Sequence, residues 1–233
     1  MPNVRAAPAR LRASLAASIG DVAFGMEDGA VSIAGLVFGV AASTSDARIV
    51  LLAGATGAAA GAVSMMAGTY LDVHSERSRT AGLVADARAG IDADPVGTAA
   101  RIRDRLLASG FLPVEADGVV TAFERNPDAR LEYVTAIELG IPGHAGASPW
   151  THAAWMFVAD LVAAGVPVLP FALLEIDSAR IVSLAVTGAL MAALGIARGV
   201  IGRESLWRTA GQTMAIAGAA ALVGVAIGRL VTA

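Results

Sequence analysis

Cysteine and lysine are both missing from this chain of 233 residues. Without cysteine there is no disulfide framework, no thiolate metal site and no catalytic thiol. The missing lysine leaves all 17 basic residues as arginine, which beside so much alanine and glycine reflects base composition rather than chemistry. Charge is scarce as well: acidic and basic residues make up 16% of the chain, against about a quarter in an ordinary soluble domain. The net charge of −3 gives no basic footprint for a nucleic acid. No Gly-rich phosphate loop and no nucleophile–base arrangement is found, so nothing points to an enzyme. Internal repeats are absent too. Arg5, Arg10 and Arg12 mark the N-terminal tail, but the first strongly apolar run ends in no small-residue cleavage site, and no signal peptide is expected.

What the chain has instead is hydrophobicity in blocks. It is 56% hydrophobic with a mean hydropathy of +0.66. Five runs reach the length a bilayer of about 30 Å hydrocarbon thickness requires. They are Gly29 to Ser45, Ile49 to Leu71, Ala153 to Leu174, Ile181 to Ala197 and Thr209 to Gly228. The expected fold is all-α: a five-span transmembrane protein with a small helical domain inserted between spans two and three. Residues 1–27 read as a tail and an amphipathic lead-in that lies at the membrane surface from Ala13 to Glu27. Residues 28–74 form a hairpin of spans one and two, 75–147 the inserted domain, and 148–233 spans three to five. Short-loop arginines set the orientation. Arg5, Arg10, Arg12, Arg198, Arg203 and Arg208 fall on one side and Arg48, Arg180 and Arg229 on the other, which predicts a cell-membrane protein with its N-terminus in the cytosol and its C-terminus outside.

The inserted segment is polar with a helical period. Asp94-Pro95 and Asn126-Pro127 each place an N-cap residue before a proline at the first helical position. Leu106, Leu107, Phe111, Leu131, Val134 and Leu139 are expected in its core, and Gly110 and Gly140 at helix C-termini. Three or four short helices on the cytosolic side result.

The hairpin carries the candidate chemistry. Asp28, Ser32, Gly35, Gly39 and Ala42 share one face of a helix, all small except the acid. A stripe of small residues is a helix contact in its plainer reading. An acid in the hydrocarbon costs ~2.5–3.5 kcal/mol on insertion scales and ordinarily faces a cavity or pathway. Glu27 next to it is expected to point to the headgroups. In span two Gly54, Gly57, Gly61, Met65, Gly68 and Asp72 keep helical spacing, placing the Met65 thioether and the Asp72 carboxylate on one face. Thioether plus carboxylate suits a divalent transition metal better than calcium or magnesium, although methionine in such a place is more often packing. Asp160 lies within span three, and Pro167 and Pro170 interrupt that span, freeing carbonyls tolerable only where they line protein or water. His74 with Asp72 and Glu76 forms a trio at the membrane edge that reads as an entrance or as a snorkelling histidine. His144 and His152 show no metal spacing.

These residues carry a resemblance. The run Asp28-Gly29-Ala30-Val31-Ser32, then Gly35-Leu36-Val37-Phe38-Gly39-Val40-Ala41, then Ala60-Gly61-Ala62-Val63-Ser64-Met65 and Gly68-Thr69-Tyr70, resembles the vacuolar iron transporter family, which includes the nodulin-like proteins. Glu138-Leu139-Gly140, Ser148-Pro149-Trp150, Gly165-Val166-Pro167-Val168-Leu169-Pro170 and Gly218 to Gly228 follow in order, so the similarity covers roughly residues 20 to 230. It implies a homodimer in membrane lipid that moves Fe²⁺ or Mn²⁺ out of the cytosol in exchange for protons. Asp28 and Met65 would line a path between subunits, with Ser32, Gly35, Gly61 and Gly68 along it and Glu138 in a metal-gathering cytosolic domain. No tightly bound cofactor is implied; the metal is cargo. The chain departs from the family pattern in two places. Span two has Gly57 and Thr69 where family members carry a glutamate, and Asp72 or Asp160 is the available substitute. Asp160 reads equally as a buried acid bonded to a neighbouring helix. The helix Ser78 to Gly90 offers only Asp86 where several glutamates are usual, and Val134 and Thr135, near Glu132 and Glu138, replace the usual methionine, so the metal-gathering site is expected to be weakened or absent. The alternative function is a membrane scaffold or partner subunit that kept the fold and lost the site.

Overall fold

The computed structural model describes residues 7–141 and 148–232. His144 therefore lies outside the described residues. Among those described every regular element is helical. In order these are α1 (Ala7–Ala17), α2 (Ile19–Ser43), α3 (Ala47–Ala93), α4 (Pro95–Ala108), α5 (Pro113–Arg125), α6 (Pro127–Tyr133), a π-helical turn (Val134–Glu138), α7 (Pro149–Val168), α8 (Pro170–Leu173), α9 (Ile176–Gly202) and α10 (Leu206–Thr232). Five of them, α2, α3, α7, α9 and α10, are long and apolar enough to cross a membrane. The chain divides into two compact units, residues 1–72 with 147–233 and residues 73–146.

In the first unit α2 is the central helix, packed against both α7 and α10. Its apolar residues Ile33, Val37 and Ala41 join Val50 and Ala58 of α3, Ala164 and Val168 of α7, Phe171 and Ala179 in one buried cluster. A second cluster joins Ala30, Ala163, Met191 and Ala217. Glycine sets the α2–α10 spacing. A Cβ at Gly224 would overlap the Gly35 carbonyl oxygen, and one at Gly228 would overlap that of Gly39. The contacts advance in the same sense along both helices, so α2 and α10 run parallel. Gly25 against Met156 and Gly29 against Asp160 show the same for α2 and α7. The plainer reading of the small stripe thus holds for Gly35 and Gly39, which make backbone contact with α10.

Span limits differ from expectation for local reasons. α2 begins at Ile19, so Asp28 sits well inside the helix and not in its entering turn, and the expected separate lead-in is largely fused to the span. Nothing breaks the helix after Leu71: α3 continues to Ala93 because no proline or capping glycine interrupts it before Asp94-Pro95. Pro167 is tolerated inside α7, and its own carbonyl accepts a 2.7 Å hydrogen bond from the Ser183 hydroxyl of α9. The chain then turns at Leu169 and Pro170 opens α8. At the end of α2, Arg180 donates to the carbonyls of Ala41 (2.5 Å) and Thr44 (2.9 Å), satisfying acceptors that a helix C-terminus leaves open.

The second unit packs Ile91, Ile102, Leu106, Ala116 and Val134 into a small core, with Leu107 and Leu131 at its margin. Phe123 and Tyr133 stack with ring centroids 5.1 Å apart. Asp94 caps α4 as expected, accepting from the Gly97 amide at 2.8 Å. Asn126 does not cap α6: its amide donates instead to the Ala122 carbonyl behind it. Phe111 and Leu139 are 44% and 46% exposed, outside the core assigned to them, because each lies where a helix has just ended. Gly110 and Gly140 adopt left-handed φ values of 94° and 65° at those ends, which only glycine does without strain. On the surface the Asp117 carboxylate hydrogen-bonds Arg103 at 2.6 Å and holds its guanidinium more firmly protonated.

Candidate functional site

The polar feature of the membrane unit is Asp160. It lies in the middle of α7 and is only 2% exposed. Glycines of two neighbouring helices make room for it. A Cβ at Gly29 of α2 would overlap the Asp160 carbonyl oxygen and stand 2.9 Å from its Oδ1. A Cβ at Gly61 of α3 would meet Asp160 Oδ2, at 3.9 Å, and nothing else within 4 Å. The carboxylate therefore reaches from α2 toward α3, with open space on the α3 side. Among the described residues no hydrogen bond or ion pair joins it, so none of them supplies the neighbouring-helix bond of the plainer reading. The acid whose charge bears on it is Asp28, beside Gly29 on α2 and half-buried.

Two methionines share helix faces with these residues. Met156, 3% exposed, lies one turn before Asp160, and its Sδ would be 2.7 Å from a Cβ placed at Gly25. Met65 is half-buried one turn beyond Gly61, on the face of α3 toward which Asp160 Oδ2 points. The remaining candidates are dispersed. Asp72, Ser32 and Gly68 line no common site with the pair; all three are exposed, and a Cβ at Gly68 would meet nothing within 4 Å. Pro167 and Pro170 are buried where α7 breaks. Glu138, in the second unit, lies 3.9 Å from the Arg101 guanidinium. His74 is exposed. No three His, Asp or Glu side chains among the described residues form a metal-binding group. What the fold brings together is Asp160 of α7 with Gly29 of α2 and Gly61 of α3, and with the charge of Asp28.

Two contacts differ from what the sequence suggests. Glu27 does not reach the headgroups. It accepts from Arg198 of α9 at 3.3 Å and from the Thr213 hydroxyl of α10 at 3.4 Å, with its side chain 22% exposed. Adjacent helix residues project about 100° apart, so tying Glu27 toward α9 and α10 leaves Asp28 to face elsewhere. Glu27→Ala is expected to lower stability by about 1 kcal/mol, since Arg198 is 41% exposed and water screens its loss of a partner. A thermal melt of the purified protein measures this; an unchanged midpoint would show the pair to be idle. The second contact is His152, which has no metal spacing in the sequence. Its Nδ1 lies 2.5 Å from Asp21 Oδ2 and 3.3 Å from the buried Ser18 hydroxyl, while Trp155 Nε1 donates to Ser14 at 2.9 Å. These bonds pin the start of α7 to α1 and α2. The spacing His152, Met156, Asp160 is the available signal, a helical face leading to the buried acid.

A family model described as the VIT family matches residues 19–229, spanning all five apolar helices and both carboxylates. The chain belongs to the VIT family. Among its VIT relatives is a protein named vacuolar iron transporter 1 from Arabidopsis thaliana, 32% identical over 209 residues, covering 86% of this chain and 82% of the relative. A vacuolar iron transporter from Centaurea cyanus is 29% identical over 208 residues, covering 88% and 85%. Vacuolar iron transporter 1 from Eucalyptus grandis is 31% identical over 210 residues, covering 86% and 82%. Like the family match, these similarities run through the second unit as well as the spans.

Proposed function

We propose that this VIT-family chain is a metal transporter that exports Fe²⁺ or Mn²⁺ from the cytosol in exchange for protons. The observation that carries the reading is Asp160: a buried carboxylate with no partner among the described residues, in reach of the charge of Asp28. Two carboxylates in a low-dielectric span repel one another unless a cation lies between them. A divalent ion supplies that charge, and the thioether of Met65 on the open side tilts preference toward transition metals. When the ion leaves, protons take its place on the same oxygens, which couples the two flows. Asp72 receives the ion at the inner end of the α3 span, and Glu138 belongs to the domain that delivers it. The break at Pro167 and Pro170 lets the outer part of α7 rearrange. The working form is a homodimer in the cell membrane with its N-terminus in the cytosol.

The test is metal uptake into inside-out vesicles. Fe²⁺ or Mn²⁺ is expected to accumulate when the vesicle interior is acid, and accumulation should collapse with a protonophore. Uptake that ignores the protonophore would end the exchange mechanism. The scaffold alternative draws support from Gly57 and Thr69, where span two lacks an acid. It predicts no Fe²⁺, Mn²⁺ or Co²⁺ binding to purified protein, whereas the transporter reading predicts saturable binding.

A further inference from the structure

Away from the acid pair, a groove of about 500 Å³ opens between α2, α9 and α10 at the end of the spans opposite Asp28. Its walls are apolar: Phe38 of α2, Leu184 of α9, Leu222 and Val225 of α10. Its mouth holds two arginines, Arg180 and Arg229, and no acid is among its lining residues. Arg180 is fixed in place by the Ala41 and Thr44 carbonyls and by Asp177, at 2.9 Å. Arg229 is exposed, with no ion pair or hydrogen bond from its guanidinium among the described residues. Both arginines lie near the ends of membrane-length helices, Arg180 shortly after Ile176 and Arg229 shortly before Thr232, where basic side chains ordinarily meet the headgroup region. The apolar walls run inward from there.

We propose that this groove binds an anionic glycerophospholipid, with its phosphate on Arg180 and Arg229 and an acyl chain along Phe38, Leu184, Leu222 and Val225. Charge complementarity identifies the occupant. Arg180 is already paired with Asp177 but keeps its Nε–H free of those bonds, and Arg229 brings a positive charge that no described acid offsets, so the mouth favours an anion, and arginine matches phosphate oxygens two at a time. A zwitterionic lipid brings its own cation and gains less. Free phosphate leaves the apolar wall uncovered. A groove of this size is in the range of specific small-molecule sites. The inference is independent of the metal reading, because none of these residues touches Asp28 or Asp160.

The experiment titrates purified full-length protein with phosphatidylglycerol, phosphatidylcholine or inorganic phosphate and counts bound molecules by native mass spectrometry. Phosphatidylglycerol is expected to bind at least about fivefold more tightly than phosphatidylcholine, with phosphate not binding measurably. Arg229→Gln should remove most of that preference, and Val225→Phe, which fills the groove, should weaken phosphatidylglycerol binding while keeping both arginines. Equal affinity for the two lipids would overturn the proposal; so would an Arg229→Gln protein that retains the preference. Phosphate binding as tight as phosphatidylglycerol would mean that the arginines read a free anion, and the lipid assignment would fall. A dimer that excludes phosphatidylglycerol would show that a second copy covers the groove, and would overturn it equally.

Discussion

Asp28→Asn and Asp160→Asn should each reduce metal uptake about a hundredfold or more, and the double variant should be no worse than either alone. Both expectations follow from the site being one unit. If the two carboxylates hold a single ion, losing one removes the arrangement, and the second loss has little left to remove. The stability effect should have the opposite sign. Asp160 makes no hydrogen bond among the described residues, so an amide of the same shape forfeits no partner. It also removes an ionisable group from a span, where charge costs ~2.5–3.5 kcal/mol. The thermal midpoint of Asp160→Asn in detergent is therefore expected to stay level or rise. Retained transport in Asp160→Asn would remove α7 from the ion path. Lost transport with a lower midpoint would mean that the acid held the fold together instead. Metal binding measured on the same samples separates a lost site from a lost conformational step.

Gly224→Leu is expected to leave little folded protein. The group that blocks a side chain there is the Gly35 carbonyl, and a helix backbone cannot swing aside as a flexible side chain does. Overpacking an ordinary core costs about 1–3 kcal/mol. Here α10 must separate from α2, which also parts Gly39 from Gly224 and Gly228 and uncovers the central helix, so a larger loss is expected. The control lies on the same helix. A Cβ at Gly211 or Gly218 would meet nothing within 4 Å, and leucine at either should be tolerated in a lipid-facing helix. Size-exclusion profiles and thermal melts of the three variants decide the matter. Comparable yield and midpoint for Gly224→Leu and Gly218→Leu would show that the close approach contributes nothing.

Much of this is legible in the residues. Five apolar runs become five long helices because helices of about 20 apolar residues satisfy their own backbone inside a bilayer. Pro95 and Pro127 start helices where fixed φ and a missing amide favour the first turn. Asp28, Met65 and Asp160 stand out because an acid in an apolar run demands a reason, and a thioether on the facing span gives one. Their relation does not stand out. That Asp160 comes to lie between Gly29 and Gly61 depends on how far α7 slides along α2, a register set by many small contacts and carried by no single motif. The separate roles of Glu27 and Asp28 are hidden for a related reason. Hydropathy treats two neighbouring acids alike, and only the position of Arg198, far along the chain, tells them apart. The helix boundaries depart from the apolar runs where Ile19 to Glu27 mixes apolar residues with Asp21 and Glu27, and where Val73 to Ala93 is polar but free of proline, so the helices outlast the runs.

The ion pair of Glu27 with Arg198 has a consequence for the carboxylate beside it. Because α2 cannot spin about its own axis without stretching that bond, the heading of Asp28 is steered from α9, and the Thr213 hydroxyl of α10 adds a second tether. If Asp28 receives the ion as proposed, the carboxylate it meets has a rudder held by the last helical hairpin. Any turn of α2 that swings the acid from one side of the membrane unit to the other must carry that hairpin along or first let go of it.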